Sequence, residues 1–380
     1  MRIVHPRRWA VIAAVVAVTS ALALPTGVAH AQAIRAQPVA THLKDPVAFT
    51  LARDGRIFYG ERHSGQIRVI NPATGSNSLF FTFPKVFSVS ESGLLGIALD
   101  PSYPRAPYVY AYATQLLGGS IWVRLLKITD VHGHGTRPRP LLAANANTTY
   151  PQHKGGRLLF GPDGMLYVYV GYQLDAANAQ NLGVPFGKIL RMTTNGLVPL
   201  GNPFRGSRVW SYGNRNSLGM AFDPRTRRLW LTEGGPDCND ELNLVLRGRN
   251  YGWGPKSLAS GAPCRTPPPP PLNTNQDGPN PTLPKLWWAA TLTPTGAAFC
   301  DRCGLGPQYE GRLLVGNWKY RSHPLVPGSI RSITLNATRD GVVAQSVAFT
   351  SKKVVLSVER GPTGAVYFSD ESAIYKLVAG

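Results

Sequence analysis

Three groups of polar residues stand out from a chain that is otherwise apolar and rich in turns. His153 lies just ahead of Gly155-Gly156, where a neutral imidazole can take a proton as a general base. Arg215 and Asn216 sit within SYGNRNSLG, and a fixed guanidinium there can stabilise charge developing on an oxygen. The stretch EGGPDCNDELN, Glu233 to Asn243, crowds carboxylates and main-chain carbonyls together, hard oxygen donors of the kind that calcium takes. Each group has a plainer reading: a solvated loop histidine, a surface or capping arginine, and Asp240-Glu241 as turn caps. Only a fold that brings the three together makes them a site. The chain has no phosphate-cradling glycine loop, no Gly-x-Ser-x-Gly elbow and no His-Glu-x-x-His helix.

The elements that would position these residues come from an internal repeat. An apolar strand, a tight turn on Asp-Pro, Asp-Gly or a similar Pro/Gly pair, and a second alternating strand recur six times. The copies start near Val47, Gly93, Gly156, Leu218, Gly296 and Val355. Most are followed by a further short strand, such as GQIRVI near Ile67 or GKILRM near Ile189. Period-two alternation marks half-buried strands, and Gly, Pro and Asp supply the turns between them. One such sheet cannot bury both faces alone, whereas radial stacking lets each cover its neighbour. The pattern therefore predicts an all-β, six-bladed β-propeller. Val39 to Leu43 is expected to add an outer strand to the last blade and close the ring. A β-sandwich fits less well, because its strands come every 8–12 residues. His153 and Arg215 then fall directly before inner strands, and Glu233–Asn243 directly after a second strand, at the strand ends and loops where propeller sites are built. The proline-rich stretch from Thr266 to Pro284 reads as a long surface loop.

Composition bounds the rest. Residues 1–31 read as a signal peptide: Arg2, Arg7 and Arg8, an apolar run from Trp9 to Leu24, and Ala29-His30-Ala31 before a cut ahead of Gln32. A general secretory leader fits better than a twin-arginine one. No later run reaches about 18 apolar residues, so no transmembrane anchor is expected, and residues 32–380 form a single domain outside the cytoplasm, secreted or periplasmic. The formal charge is +20, and removing the three leader arginines leaves +17. The basic residues are scattered without interleaved aromatics, which argues against nucleic acid and leaves contact with an anionic envelope open. Four cysteines in an exported chain read as two disulfides, and local loop closure favours Cys238–Cys264 and Cys300–Cys303. A four-thiolate zinc site is the competing reading.

The segments GLLGIALDP, HKGGRLLFGPDG, GKILRM, SYGNRNSLGMAFDP and GPDCNDELNLVLRGRNYGWG, in this order from Gly93 to Gly254, resemble the glucose/sorbosone dehydrogenase family, the soluble aldose sugar dehydrogenases. The resemblance runs from about Asp45 to Leu377. It implies a quinoprotein that oxidises the anomeric carbon of a small sugar with pyrroloquinoline quinone and calcium. By resemblance, His153 is the base that takes the anomeric hydroxyl proton while hydride passes to the quinone. Arg215 contacts the reactive quinone carbonyl, with Asn216 beside it. Gly235 and Pro236 match the pair whose main-chain carbonyls hold calcium, and Lys319 matches a lysine that pairs with the cofactor. The chain departs from the family at four places. Glu91 replaces a cofactor-binding Gln, Tyr172 replaces an Asp behind the base, and Val354 and Leu356 replace two clamping arginines. These departures motivate a second reading, a non-catalytic propeller that binds a glycan or a protein. A calcium-dependent lactonase is a third. The electron acceptor is left open.

Overall fold

Every one of the six repeats folds as expected into a first strand, a turn and a second strand, the turn of the fifth being a longer connection from Cys300 to Arg312. The computed structural model of the chain describes Met1 and residues 33–236, 238–255, 278–318 and 328–380. The segment expected to be a signal peptide, Cys264, Lys319 and most of the proline-rich stretch lie outside the described residues. Among the described residues the strands form six four-stranded antiparallel sheets, each built from consecutive strands except the last. The innermost strands are Ala48–Leu51, Leu94–Leu99, Gly155–Phe160, Asn216–Phe222, Pro294–Phe299 and Ser357–Arg360. Each touches the next, and the sixth touches the first. The protein is a six-bladed β-propeller.

The last blade is closed by the N-terminal strand Ile34–Ala40, antiparallel to Ile374–Ala379 from Ile34 opposite Ala379 to Ala40 opposite Ile374. The closing strand thus lies upstream of the expected Val39–Leu43 segment. Leu43 instead packs between the first and last blades. A second correction concerns Glu233–Asn243. Most of it is strand: Cys238–Val245 is the third strand of the fourth blade, pairs with Leu229–Gly234, and is buried throughout. Cys300 and Cys303 form a disulfide in the turn after the fifth blade's inner strand. Cys238 is also disulfide-bonded.

There is no single core. Apolar side chains from each pair of adjacent blades form a separate buried layer, such as Tyr110, Tyr112 and Leu125 of the second blade against Leu158, Leu166 and Val168 of the third. Near the axis this packing needs glycine. A methyl group on Gly96 would overlap the Gly156 carbonyl of the next blade, and one on Gly296 would overlap the Val358 amide. Overpacking costs about 1–3 kcal/mol, more where backbone must move. Gly96→Ala is therefore expected to lower the unfolding midpoint by several degrees in a thermal melt.

Arg157 ties the inner strands together across the axis. From the third blade its guanidinium donates to Leu218 O (2.8 Å) of the fourth, Thr295 O (3.3 Å) of the fifth, and Ser357 Oγ (2.9 Å) and Glu359 of the sixth. Strand alternation places the connections into inner strands, and those between second and third strands, at one end. The remaining connections leave from the opposite end, and the one after Val245 runs back along the third blade to carry Trp253 to the first end.

Candidate active site

The connections at the first of these ends bring together residues far apart in sequence. His153 sits one residue ahead of a buried Lys154, in the left-handed backbone region at φ 56°. That strained conformation is held in place. Its amide donates to Glu91 Oε2 (2.7 Å), and Asn216 Nδ2 donates to the same oxygen (3.3 Å). Asn216 Oδ1 accepts from the Gly155 amide (3.2 Å). Glu91, His153 and Asn216 thus come from three successive blade junctions and form one network.

Arg215 and the imidazole share an aromatic neighbour, Tyr172. The His153 ring stacks on Tyr172 at 5.2 Å between centroids, and Tyr172 meets Trp253 edge-on at 5.4 Å. The Arg215 guanidinium carbon lies 5.2 Å from the centre of the Trp253 ring and 5.9 Å from that of Tyr172. Its Nη1 donates to Gly234 O (3.0 Å), and its amide donates to Glu233. Asn214 Nδ2 donates to the other Glu233 oxygen (2.9 Å). Tyr172, at the position where the resemblance implies an acid behind the base, therefore supplies a ring face to both His153 and Arg215.

Gly235 follows Gly234 directly. Its amide donates to Asp240 Oδ1 (2.8 Å), while Asp240 Oδ2 accepts from Leu292 (2.6 Å) and Thr293 (2.8 Å). A side chain on Gly235 would overlap the Cys238 carbonyl, so the Gly235-Pro236 turn is folded back tightly on its strand. Asp240 anchors this turn from inside the sheet.

The electrostatics follow from burial. Burial, then the Arg215 and Lys154 charges, push the His153 imidazole well below its ordinary range, so it is neutral at physiological pH. Burial raises Glu91, opposed by the His153 amide and then by Arg215, Lys154 and Arg62. Burial pushes Asp240 up to about 6 against its three amide donors, and raises Glu233 as well. Lys154 is brought down to about 8, again by burial, with Glu91 opposing. Four buried polar atoms of the residues named here have no hydrogen-bond partner: His153 Nδ1, Asn214 Oδ1, Arg215 Nε and Trp253 Nε1. Unsatisfied buried polar groups are uncommon, and a cluster of them calls for a reason.

A cavity of about 350 Å³ lies on the axis beside this group. All six blades or their junctions contribute to its wall, among them Arg62, Glu91, Lys154, Asn216, Trp318 and Leu356. Arg157 also lines it. His153, Arg215, Gly235 and Pro236 are not part of its wall; His153 is joined to the wall by Glu91 and its neighbour Lys154, and Arg215 by its neighbour Asn216. Val354 is buried and Leu356 is an apolar part of the wall, so neither offers a cation. The only cluster of His, Cys, Asp and Glu among the described residues that is close enough to hold an ion is Cys300, Cys303 and Glu310, and its cysteines form the disulfide. Sequence reasoning missed Lys154 and Trp253. Lys154 adjoins His153, which it selected, and Trp253 stands in the NYGWG segment.

The family model for glucose/sorbosone dehydrogenase matches residues 43–378 of the chain. The aldose sugar dehydrogenase YliI of Escherichia coli is 27% identical, over 87% of this chain and 88% of that protein. Quinoprotein glucose dehydrogenase B of Acinetobacter calcoaceticus is 30% identical, over 57% of this chain and 51% of that protein. Among solved structures, the PQQ-bound aldose sugar dehydrogenase of Streptomyces coelicolor is 27% identical, with a TM-score of 0.73 over 91% of this chain and 98% of that one.

Proposed function

The chain belongs to the glucose/sorbosone dehydrogenase family, and from that premise we propose that it oxidises the anomeric carbon of an aldose, with His153 as the base. The observation that carries this reading is the His153 ring: half-buried, with a buried Nδ1 that has no hydrogen-bond partner, and stacked on Tyr172 beside Arg215, whose charge helps to hold it neutral. A neutral imidazole can take the proton of the C1 hydroxyl. Arg215, fixed by Gly234 O and two aromatic faces, is placed to stabilise an oxygen on which negative charge develops.

Pyrroloquinoline quinone, when bound, would accept the hydride, and calcium would polarise it. The unpartnered Arg215 Nε and the cations Arg62 and Lys154 near one cavity suit an anionic planar group. The folded-back Gly235-Pro236 turn would supply main-chain carbonyls to the ion. Lys319 would add a further cation. Hydride transfer requires C1 to be dry and oriented, and the Tyr172 and Trp253 rings exclude water on one side. We place this chemistry outside the cytoplasm, in keeping with the disulfide and the leader-like N-terminus.

The test is to add pyrroloquinoline quinone and calcium to the purified chain, follow binding by absorbance, and measure dye reduction with a panel of aldoses. Quinone binding and aldose-dependent dye reduction are expected; absence of both would overturn the reading. Glu91 sharpens it. Glu91→Gln keeps an acceptor for the His153 amide and Asn216 while removing a negative charge near the anionic cofactor. Its titration is expected to show cofactor affinity about tenfold tighter. Leu356 in the cavity wall favours a second reading, a propeller that binds a glycan without redox chemistry. Glycan affinity that survives His153→Ala, without quinone binding, would support that one.

A further inference from the structure

The end of the propeller opposite the candidate site holds charge and apolar surface that the proposed chemistry does not use. Among the described residues of its turns, fourteen arginines and lysines stand against seven acids, whereas the connections at the site end hold seven and six. Among the described connections, those leaving from this end thus carry a net charge of +7 (14 − 7) against +1 (7 − 6) at the site end.

Within that end, the loop between Met192 and Val209 of the third blade projects apolar side chains into solvent. Leu200 is 97% exposed and Leu197 66%, with Val198 and the neighbouring Leu246 also exposed. The loop is not slack. Arg191 Nη1 donates to Leu200 O (3.1 Å) and Asn202 Oδ1 (2.9 Å), and Asn202 Nδ2 donates back to Arg191 O (3.0 Å) and Ser207 O (2.9 Å). Cations flank it on both sides. Lys127 and Arg139 reach Asn195 at 3.0–3.1 Å, and Arg247 reaches Gly201 O (2.7 Å) and Asn202 O (3.2 Å). Arg205 is exposed within the loop. The acid nearest the loop in this network, Asp163, is already paired with Arg191 at 2.9 Å.

We propose that this end docks on an anionic phospholipid bilayer, with Leu197, Leu200 and Leu246 entering the boundary between headgroups and acyl chains and the surrounding arginines meeting lipid phosphates. Rigidly presented leucines inside a collar of guanidinium groups are the two elements of interfacial binding: apolar burial and attraction to negative headgroups. A soluble polyanion would use the collar alone and leave the leucines in water. Docking in this orientation turns the cavity toward bulk solvent.

The experiment is co-sedimentation of the full chain with vesicles of phosphatidylglycerol and phosphatidylcholine. Binding is expected to vesicles rich in phosphatidylglycerol, to be absent with phosphatidylcholine alone, and to weaken as salt rises. Arg139→Gln and Arg247→Gln are each expected to reduce partitioning about fivefold. Leu197→Ser with Leu200→Ser is expected to reduce it at least as much while leaving thermal stability unchanged. These residues are remote from the cavity, so the outcome does not depend on the sugar reaction. Absence of binding to anionic vesicles at low salt would overturn the proposal. So would binding that the leucine changes leave untouched and that inorganic polyphosphate abolishes, which would point to a polyanion.

Discussion

Replacing His153 by alanine is expected to lower turnover of the reconstituted enzyme on saturating aldose by about 10²–10⁴-fold, the usual worth of a general base. Cofactor absorbance should be nearly unchanged, because the Glu91 contact is made by the His153 amide and not by its ring. The wild-type pH profile carries the second half of this expectation. A base works only when deprotonated, so kcat/KM should rise with pH and then level off. Burial, then Arg215 and Lys154, hold the imidazole well below 6.5, so the midpoint of the rise should lie below that value. A midpoint above 6.5, or activity that survives the alanine change, would remove His153 from the chemistry.

Arg215→Met is expected to lower kcat by about 10²–10³-fold, with a smaller change in KM, if the guanidinium acts on charge that appears only in the transition state. The same substitution removes one of the two charges that depress His153, so the acid limb of the profile should move to higher pH. That shift separates an electrostatic role from simple disruption. Arg215→Lys keeps the charge but loses the planar fork, and should restore the limb more fully than the rate. An unchanged limb with lowered stability would mean that Arg215 only pins Gly234 and the aromatic rings.

The blades were legible because their first two strands obey both local rules at once: apolar alternation and a turn built on Asp, Gly or Pro. The outer strands were not. Ser76–Thr82 and Val342–Thr350 are largely exposed, so they carry no apolar period, and His134–Asn145 is broken by Pro138 and Pro140. The third strand of the fourth blade was hidden for the opposite reason. Asn239, Asp240, Glu241 and Asn243 are poor strand formers by propensity, yet all are buried in a sheet that satisfies Asp240 with three backbone amides. What looked like a set of exposed ligands is an internal brace beneath the Gly235-Pro236 turn. His153, Arg215 and Asn216 could be selected by type and by their place ahead of inner strands. Their link through Glu91 joins residues 62 and 125 positions apart, which no local pattern encodes.

The pairing of Ile34–Ala40 with Ile374–Ala379 makes the circle a matter of timing as well as geometry. As the chain emerges, its first strand must wait unpartnered until the last one exists, with an exposed edge and the apolar side of the first blade uncovered. Closure of the ring therefore waits until Ile374–Ala379 has been made. Pairing these two strands is the contact of longest sequence separation among the described residues, the kind that forms slowly. Moving both ends to a turn within one blade would let that blade close early and shift the delay elsewhere in the ring.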